Sequence, residues 1–369
     1  MHLPVRGAGL AAVAVAAAVS LTCRDTATPT NSLVSRIWHY PSQVSCRPRP
    51  PATDGQRVFV PFSDGYVRAF SLETGVVEWQ TAVGGSLFDD IKVFGGLVIV
   101  QAGSGLVALN PEHGGLLWVR SDTSDYPRGV MSFDTLTGVV VAGGQRSSLW
   151  GVSVADGSVA WKVDLGEATR STVIVGRTVF AGAVDAVANP SDASGFIFAV
   201  DLGSRTLRWS FVAPKLQVSS GFVAPLAVSS GFVVANAASG RVYGLDASTG
   251  QELWHFDGNV FLGGSISDGR LVYVPSSDGR VYARDLRTGD QAWTAVIGAA
   301  SLYTEPALFG DSLVLTKSGN TLYALERSSG ATAWTYGIQY NSICSTPLVV
   351  DSTIVFDAED GIYAVRVRR

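Results

Sequence analysis

The chain has 369 residues, with 27 Lys and Arg against 31 Asp and Glu, a net charge of −4, 16% charged residues and 47% hydrophobic residues. A mildly acidic chain without basic blocks lacks the positive footprint of a nucleic-acid binder. It is too apolar to be disordered, and its 41 glycines lack the three-residue period of collagen.

The first 22 residues read as a secretory signal. Arg6 supplies a small positive region, and Ala8 to Ser20 form an apolar run too short to span a bilayer comfortably. The run ends at Leu21-Thr22-Cys23. This resembles a bacterial lipobox, with Ser20 and Thr22 in places where Leu and Gly or Ala are preferred. The resemblance implies lipidation of Cys23; simple secretion and an uncleaved anchor are the alternatives. Residues 23–34 then read as a polar tether, and residues 35–369 as the folded domain.

Tryptophans recur at Trp38, Trp79, Trp118, Trp161, Trp209, Trp254, Trp293 and Trp334, with gaps of 41, 39, 43, 48, 45, 39 and 41 residues. Only Trp150 stands outside the series. Ala or Gly lies ten residues before each Trp from Trp79 onward. Gly lies four residues before six of those seven, and Arg205 breaks the rule in the fourth unit. Within a unit such as GFVVANAASGRVYGLDASTGQELW, β-rich runs alternate with glycine turns, where glycine supplies the positive φ of a tight hairpin. Four short strands repeated about every 40 residues describe a propeller blade.

The expected fold is therefore all-β: an eight-bladed β-propeller of four-stranded antiparallel blades. The chain stops before an eighth C-terminal Trp strand, so Ser35 to Tyr40 is expected to complete blade eight beside GIYAVRVRR. Each Trp is expected to dock against the next blade. Ring closure brings together the segments holding Cys46 and Cys344, an expected disulfide in an oxidising compartment.

The phrases YGLDASTGQELW, YARDLRTGDQAW and YALERSSGATAW resemble the tryptophan-docking repeat of pyrroloquinoline-quinone-type (PQQ-like) propellers. No repeat Trp is followed by Asp, so a WD40 propeller fits less well. Within the class, the size, the eight blades and the signal make the chain similar to the BamB family of outer-membrane assembly lipoproteins. That resemblance implies a non-enzymatic envelope scaffold, monomeric, touching the membrane only through a lipid anchor and working with an envelope protein partner. The competing readings are a propeller that binds a small ligand or polysaccharide and a quinoprotein dehydrogenase. The dehydrogenases hold their quinone under a vicinal disulfide, and no two cysteines are adjacent here. No cofactor is expected.

The four histidines show no metal-ligand spacing, and no nucleophile elbow or phosphate-cradling motif occurs. Asp201, Asp246 and Asp285 are expected to satisfy turn amides. The candidate partner or channel-mouth face comprises Phe88, Asp89, Tyr126, Arg128, Arg170, Asp185, Asp192, Gln217, Phe261, Tyr303 and Glu305. These residues fall in connections entering blades or in two long loops, 185–194 and 214–222. Loops on a rigid frame commonly carry recognition.

Overall fold

The computed structural model describes residues 33–42, 50–84, 90–103, 105–121, 125, 127–185, 194–214, 221–222, 224–258, 263–298, 304–339 and 342–368, without the side chain of Arg128. Among them the regular structure is all strand, in thirty-two segments. The strands form six four-stranded antiparallel sheets and one eight-stranded sheet made of two four-stranded antiparallel halves; with each half counted as a blade sheet, they are one (52–82), two (91–121), three (127–164), four (168–212), five (227–257), six (266–296), seven (307–337) and eight (348–367 plus Val34–Pro41). The outer strand of sheet eight is Val34–Pro41, antiparallel to Gly361–Val367, with Trp38 opposite Ala364 and His39 opposite Tyr363. The N-terminus thus closes the last blade as the repeat count requires.

The apolar core is divided among the junctions between sheets. Eight clusters of buried side chains occupy eight junctions, one for each neighbouring pair, from Phe59 and Val98 between sheets one and two to Val58 and Val355 between sheets one and eight. Eight sheets sharing eight junctions make a closed ring, which leaves no exposed sheet face.

The sequence periodicities now have physical causes. The Ala or Gly ten residues before each Trp is its cross-strand neighbour, as in Ala69 opposite Trp79 and Gly244 opposite Trp254. A register shift follows that residue in each of the seven sheets. Only a small side chain leaves the indole room there: a Cβ on Gly244 would meet Trp254 Cε2 at 2.0 Å. The glycine four residues before a Trp serves the previous sheet instead. A Cβ on Gly75, at φ +71°, would meet Trp38 at 2.5 Å, and Gly114 stands in the same relation to Trp79. The indole N–H then donates to a carbonyl of that same turn, Trp38 to Leu72 O at 2.9 Å and Trp118 to Val154 O at 2.8 Å. Trp38, Trp79, Trp118, Trp209, Trp254 and Trp293 thus each pack the ring and satisfy the polar edge in one neighbouring turn.

Two junctions depart from the pattern. Arg205, at φ 62°, takes the glycine place in sheet four, and its guanidinium carbon lies 4.9 Å from the Trp161 ring centroid. Trp334 Nε1 has no hydrogen-bond partner among the described residues. In its neighbour, sheet eight, the third and fourth strands, Gly361–Val367 and Val34–Pro41, are not joined by a turn that would offer the carbonyl. Sheets three and four also join through one parallel pairing, Val130 with Ser171. Their inner strands, Pro127–Asp134 and Ala168–Val175, are eight residues long.

Candidate functional site

In an up-and-down blade, the hairpin between the second and third strands and the connection to the next blade emerge at the same end. The sequence assigned the candidate face to that end. Phe88, Asp89, Tyr126, Asp192, Gln217, Phe261 and Tyr303 lie outside the described residues. Asp185 is half-buried at the base of the long loop of sheet four, where its N–H donates to Ser194 O at 3.1 Å. Glu305 is half-buried in the connection between sheets six and seven. Arg128 and Arg170 correct the sequence reading. They lie inside the inner strands of sheets three and four rather than in connections, because these strands run on to meet at the Val130–Ser171 pairing.

Polar side chains tie the junctions together near this end. Asp90, 3% exposed, accepts the Met131 N–H at 2.9 Å and so bridges sheets two and three, with Lys92 Nζ 3.3 Å from its other oxygen. Asn236 donates to Gly263 O and accepts from Ser265 Oγ, linking sheets five and six. Ser171 Oγ donates to Ala224 O between sheets four and five. These buried groups position the connections and are spent in doing so. Lys317 is the exception: it is 8% exposed, and burial alone lowers its pKa.

The turn aspartates behave as expected. Asp201 accepts from the N–H groups of Gly203 and Ser204, and Asp285 from those of Arg287 and Thr288. The side chain of Arg208 beside Asp201 holds that carboxyl far below the usual carboxylate range. His255 pairs with Glu252 Oε1 at 2.6 Å, and His113 Nδ1 accepts from Gly115 N–H. Among the described residues no group of three or more His, Cys, Asp or Glu is placed to hold a metal. Cys344 is disulfide-bonded; Cys46 and Cys23 lie outside the described residues.

One concave site was not anticipated. A cavity of about 470 Å³ is lined by Asp125, Arg146, Ser147, Ser148, Lys162 and Asp164. Ser148 faces Asp164 and Trp150 faces Lys162 across the outer strands of sheet three, which puts all four on the side toward sheet two. Asp125, in the connection from sheet two, lies over them. It accepts the Arg146 N–H at 2.8 Å, and Lys162 Nζ is 3.2 Å from its Oδ2. Burial pushes the Asp125 carboxyl up, but hydrogen bonds from Ser148, the Arg146 amide and Lys162 outweigh it and hold the group below its ordinary value. The Lys162 ammonium also sits 4.2 Å from the centroid of Trp150, the one Trp outside the docking series. The sequence signals were that odd Trp and the Gly143-Gly144 pair. A Cβ on Gly144 would meet Asp125 at 2.6 Å.

Comparisons with known proteins agree with this architecture. The family model described as "Outer membrane protein assembly factor BamB" matches residues 34–214 and 192–305. A protein of that name from Yersinia pestis is 27% identical over 165 residues, 42% of this chain and 41% of its own length. The matched stretch thus spans about two fifths of that relative. The crystal structure of BamB from Moraxella catarrhalis superposes with a TM-score of 0.69 at 15% identity, covering 90% of this chain and 97% of that one. A computationally designed protein, Ika8, gives a TM-score of 0.74 at 18% identity over 90% of this chain and 99% of its own. Quinohemoprotein alcohol dehydrogenase from Comamonas testosteroni gives 0.71 at 13% identity, covering 91% of this chain and 76% of that one.

Proposed function

The chain belongs to the BamB family of PQQ-like propellers, and from that premise we propose that it is a non-enzymatic, exported scaffold that docks an envelope protein partner. The observation that carries this reading is the division of labour in the ring. The docking tryptophans and turn glycines are consumed in closing the junctions, while the long loop of sheet four is pinned at its base by the Asp185–Ser194 hydrogen bond. A rigid frame that carries long connecting loops at one end is the arrangement of a recognition platform. The Yersinia pestis relative is named for outer-membrane protein assembly. By kinship, the partner proposed here belongs to the machinery that inserts β-barrel proteins.

Residues 1–22 act in this reading as a signal, Cys23 as a lipidated N-terminus, and residues 23–34 as the tether. Cys46 is assigned as the partner of Cys344, locking sheet one to sheet eight beside the closing strand; non-reducing peptide mapping should return the joined peptides, and any other pairing contradicts the assignment. Recovery of envelope proteins on the wild-type chain and on a variant shortened between 185 and 194 tests the docking end. The reading expects a wild-type partner to be lost from the variant. Equal recovery removes that loop from the interface.

A further inference from the structure

We propose that the cavity between sheets two and three binds a zwitterionic solute of amino-acid size, its carboxylate toward Arg146 and its ammonium toward Asp164. This site lies in the groove over sheet three and is independent of the scaffold reading. Its six lining side chains are all polar, and its charges balance as two carboxylates, Asp125 and Asp164, against two cations, Arg146 and Lys162. A site of zero net charge gives no field that favours a net anion or a net cation. What remains is the placement of the groups not yet spent.

Asp125 and Lys162 are spent on one another. The carboxylate takes the Arg146 amide and the Lys162 ammonium, and the ammonium also rests on the face of Trp150, which is 2% exposed. Together they form a fixed wall. The Arg146 guanidinium, by contrast, makes no hydrogen bond or ion pair among the described residues, although its backbone is pinned by Asp125. Among the described residues Asp164 accepts only the Gly166 N–H, at 2.9 Å, which leaves its other oxygen for a ligand. A guanidinium fork matches a carboxylate with two parallel hydrogen bonds, and a carboxylate accepts from an ammonium. Ser147 also lines the cavity and offers a further hydroxyl donor or acceptor. A sugar would need an open aromatic face, and the Lys162 ammonium covers that of Trp150.

Isothermal titration of the purified full chain tests the assignment, with L-alanine and the dipeptide Ala-Ala as zwitterions, acetate and methylamine as half-ligands, and inorganic phosphate as a plain anion. The zwitterions should bind saturably and the other three at least tenfold more weakly. Arg146→Gln and Asp164→Asn should each weaken L-alanine binding at least tenfold; Asn keeps an acceptor for the Gly166 amide, and near-ultraviolet circular dichroism verifies folding. Asp351→Asn, in a hairpin at the opposite end of the ring, should leave the affinity unchanged. The proposal is overturned if L-alanine and Ala-Ala give no saturable heat, if either pocket variant binds within twofold of the wild type, or if phosphate or acetate binds as tightly as L-alanine.

Discussion

The Arg205 guanidinium lies over the indole of Trp161, 4.9 Å from the ring centroid, in the turn position where six other sheets carry glycine. The side chain replaces a snug backbone contact with a cation–π contact, and the Trp161 indole N–H loses its turn carbonyl in the exchange. Arg205→Ala keeps a Cβ at φ 62° but removes the cation. It should lower stability by about 1 kcal/mol, the usual worth of such a contact. A shift in the urea midpoint measures it; no shift would mean that Arg205 merely fills space.

Glycine at the docking turn does two jobs, and a pair of variants separates them. Gly75 has φ +71° and a Cβ there would meet Trp38 at 2.5 Å, whereas Gly55 has φ +91° and nothing within 4 Å. Gly55→Ala should cost about 1 kcal/mol for backbone strain alone. Gly75→Ala should cost at least about 3 kcal/mol, because the strain is joined by overpacking against the indole. Comparable midpoints for the two variants would contradict the docking geometry.

Trp118 donates to Val154 O at 2.8 Å, while Trp334 Nε1 is buried without a partner among the described residues. Replacing each by Phe removes similar apolar area but only one hydrogen bond. Trp118→Phe should therefore cost about 1 kcal/mol more than Trp334→Phe. Equal losses would place an unseen acceptor beside Trp334.

The strands, their count and the closing segment were legible because one spacing recurs along the whole chain. The eighth Trp at the N-terminus, Trp38, carried the topology without any long-range information. Spacing alone did not reveal that Gly75 serves Trp38 rather than Trp79, since both contacts leave the same periodic trace. The extension of the inner strands around Arg128 and Arg170 was hidden too, because a single pairing between Val130 and Ser171 has no sequence period. The cavity residues come from three separate segments, 125, 146–148 and 162–164. Only the unassigned Trp150 and the Gly143-Gly144 pair hinted at them.

The closing strand carries a titratable group. His39 stacks on Tyr363 with ring centroids 4.1 Å apart, and Asp360 Oδ2 lies 3.9 Å from its Nε2. Burial lowers its pKa, nearby Arg36 adds to that, and Asp360 opposes without cancelling it. A histidine whose folded pKa falls below the unfolded value of about 6.5 stabilises the fold fully above pH 6.5. That contribution is lost as pH falls from 6.5 through the folded pKa. Acidification from pH 7.5 to 5 should lower the melting temperature, and His39→Phe, which keeps the stack, should flatten the slope in that window. An unchanged slope would assign the effect to other groups.

The central claim is that Val34–Pro41 makes Gly361–Val367 an interior strand of a closed ring. Amide hydrogen exchange of Gly361–Val367 in the full chain tests it most directly. Exchange as slow as in Arg241–Asp246, the corresponding third strand of sheet five, is the predicted result. Rapid exchange over the whole segment, as in an open sheet edge, would contradict the closure.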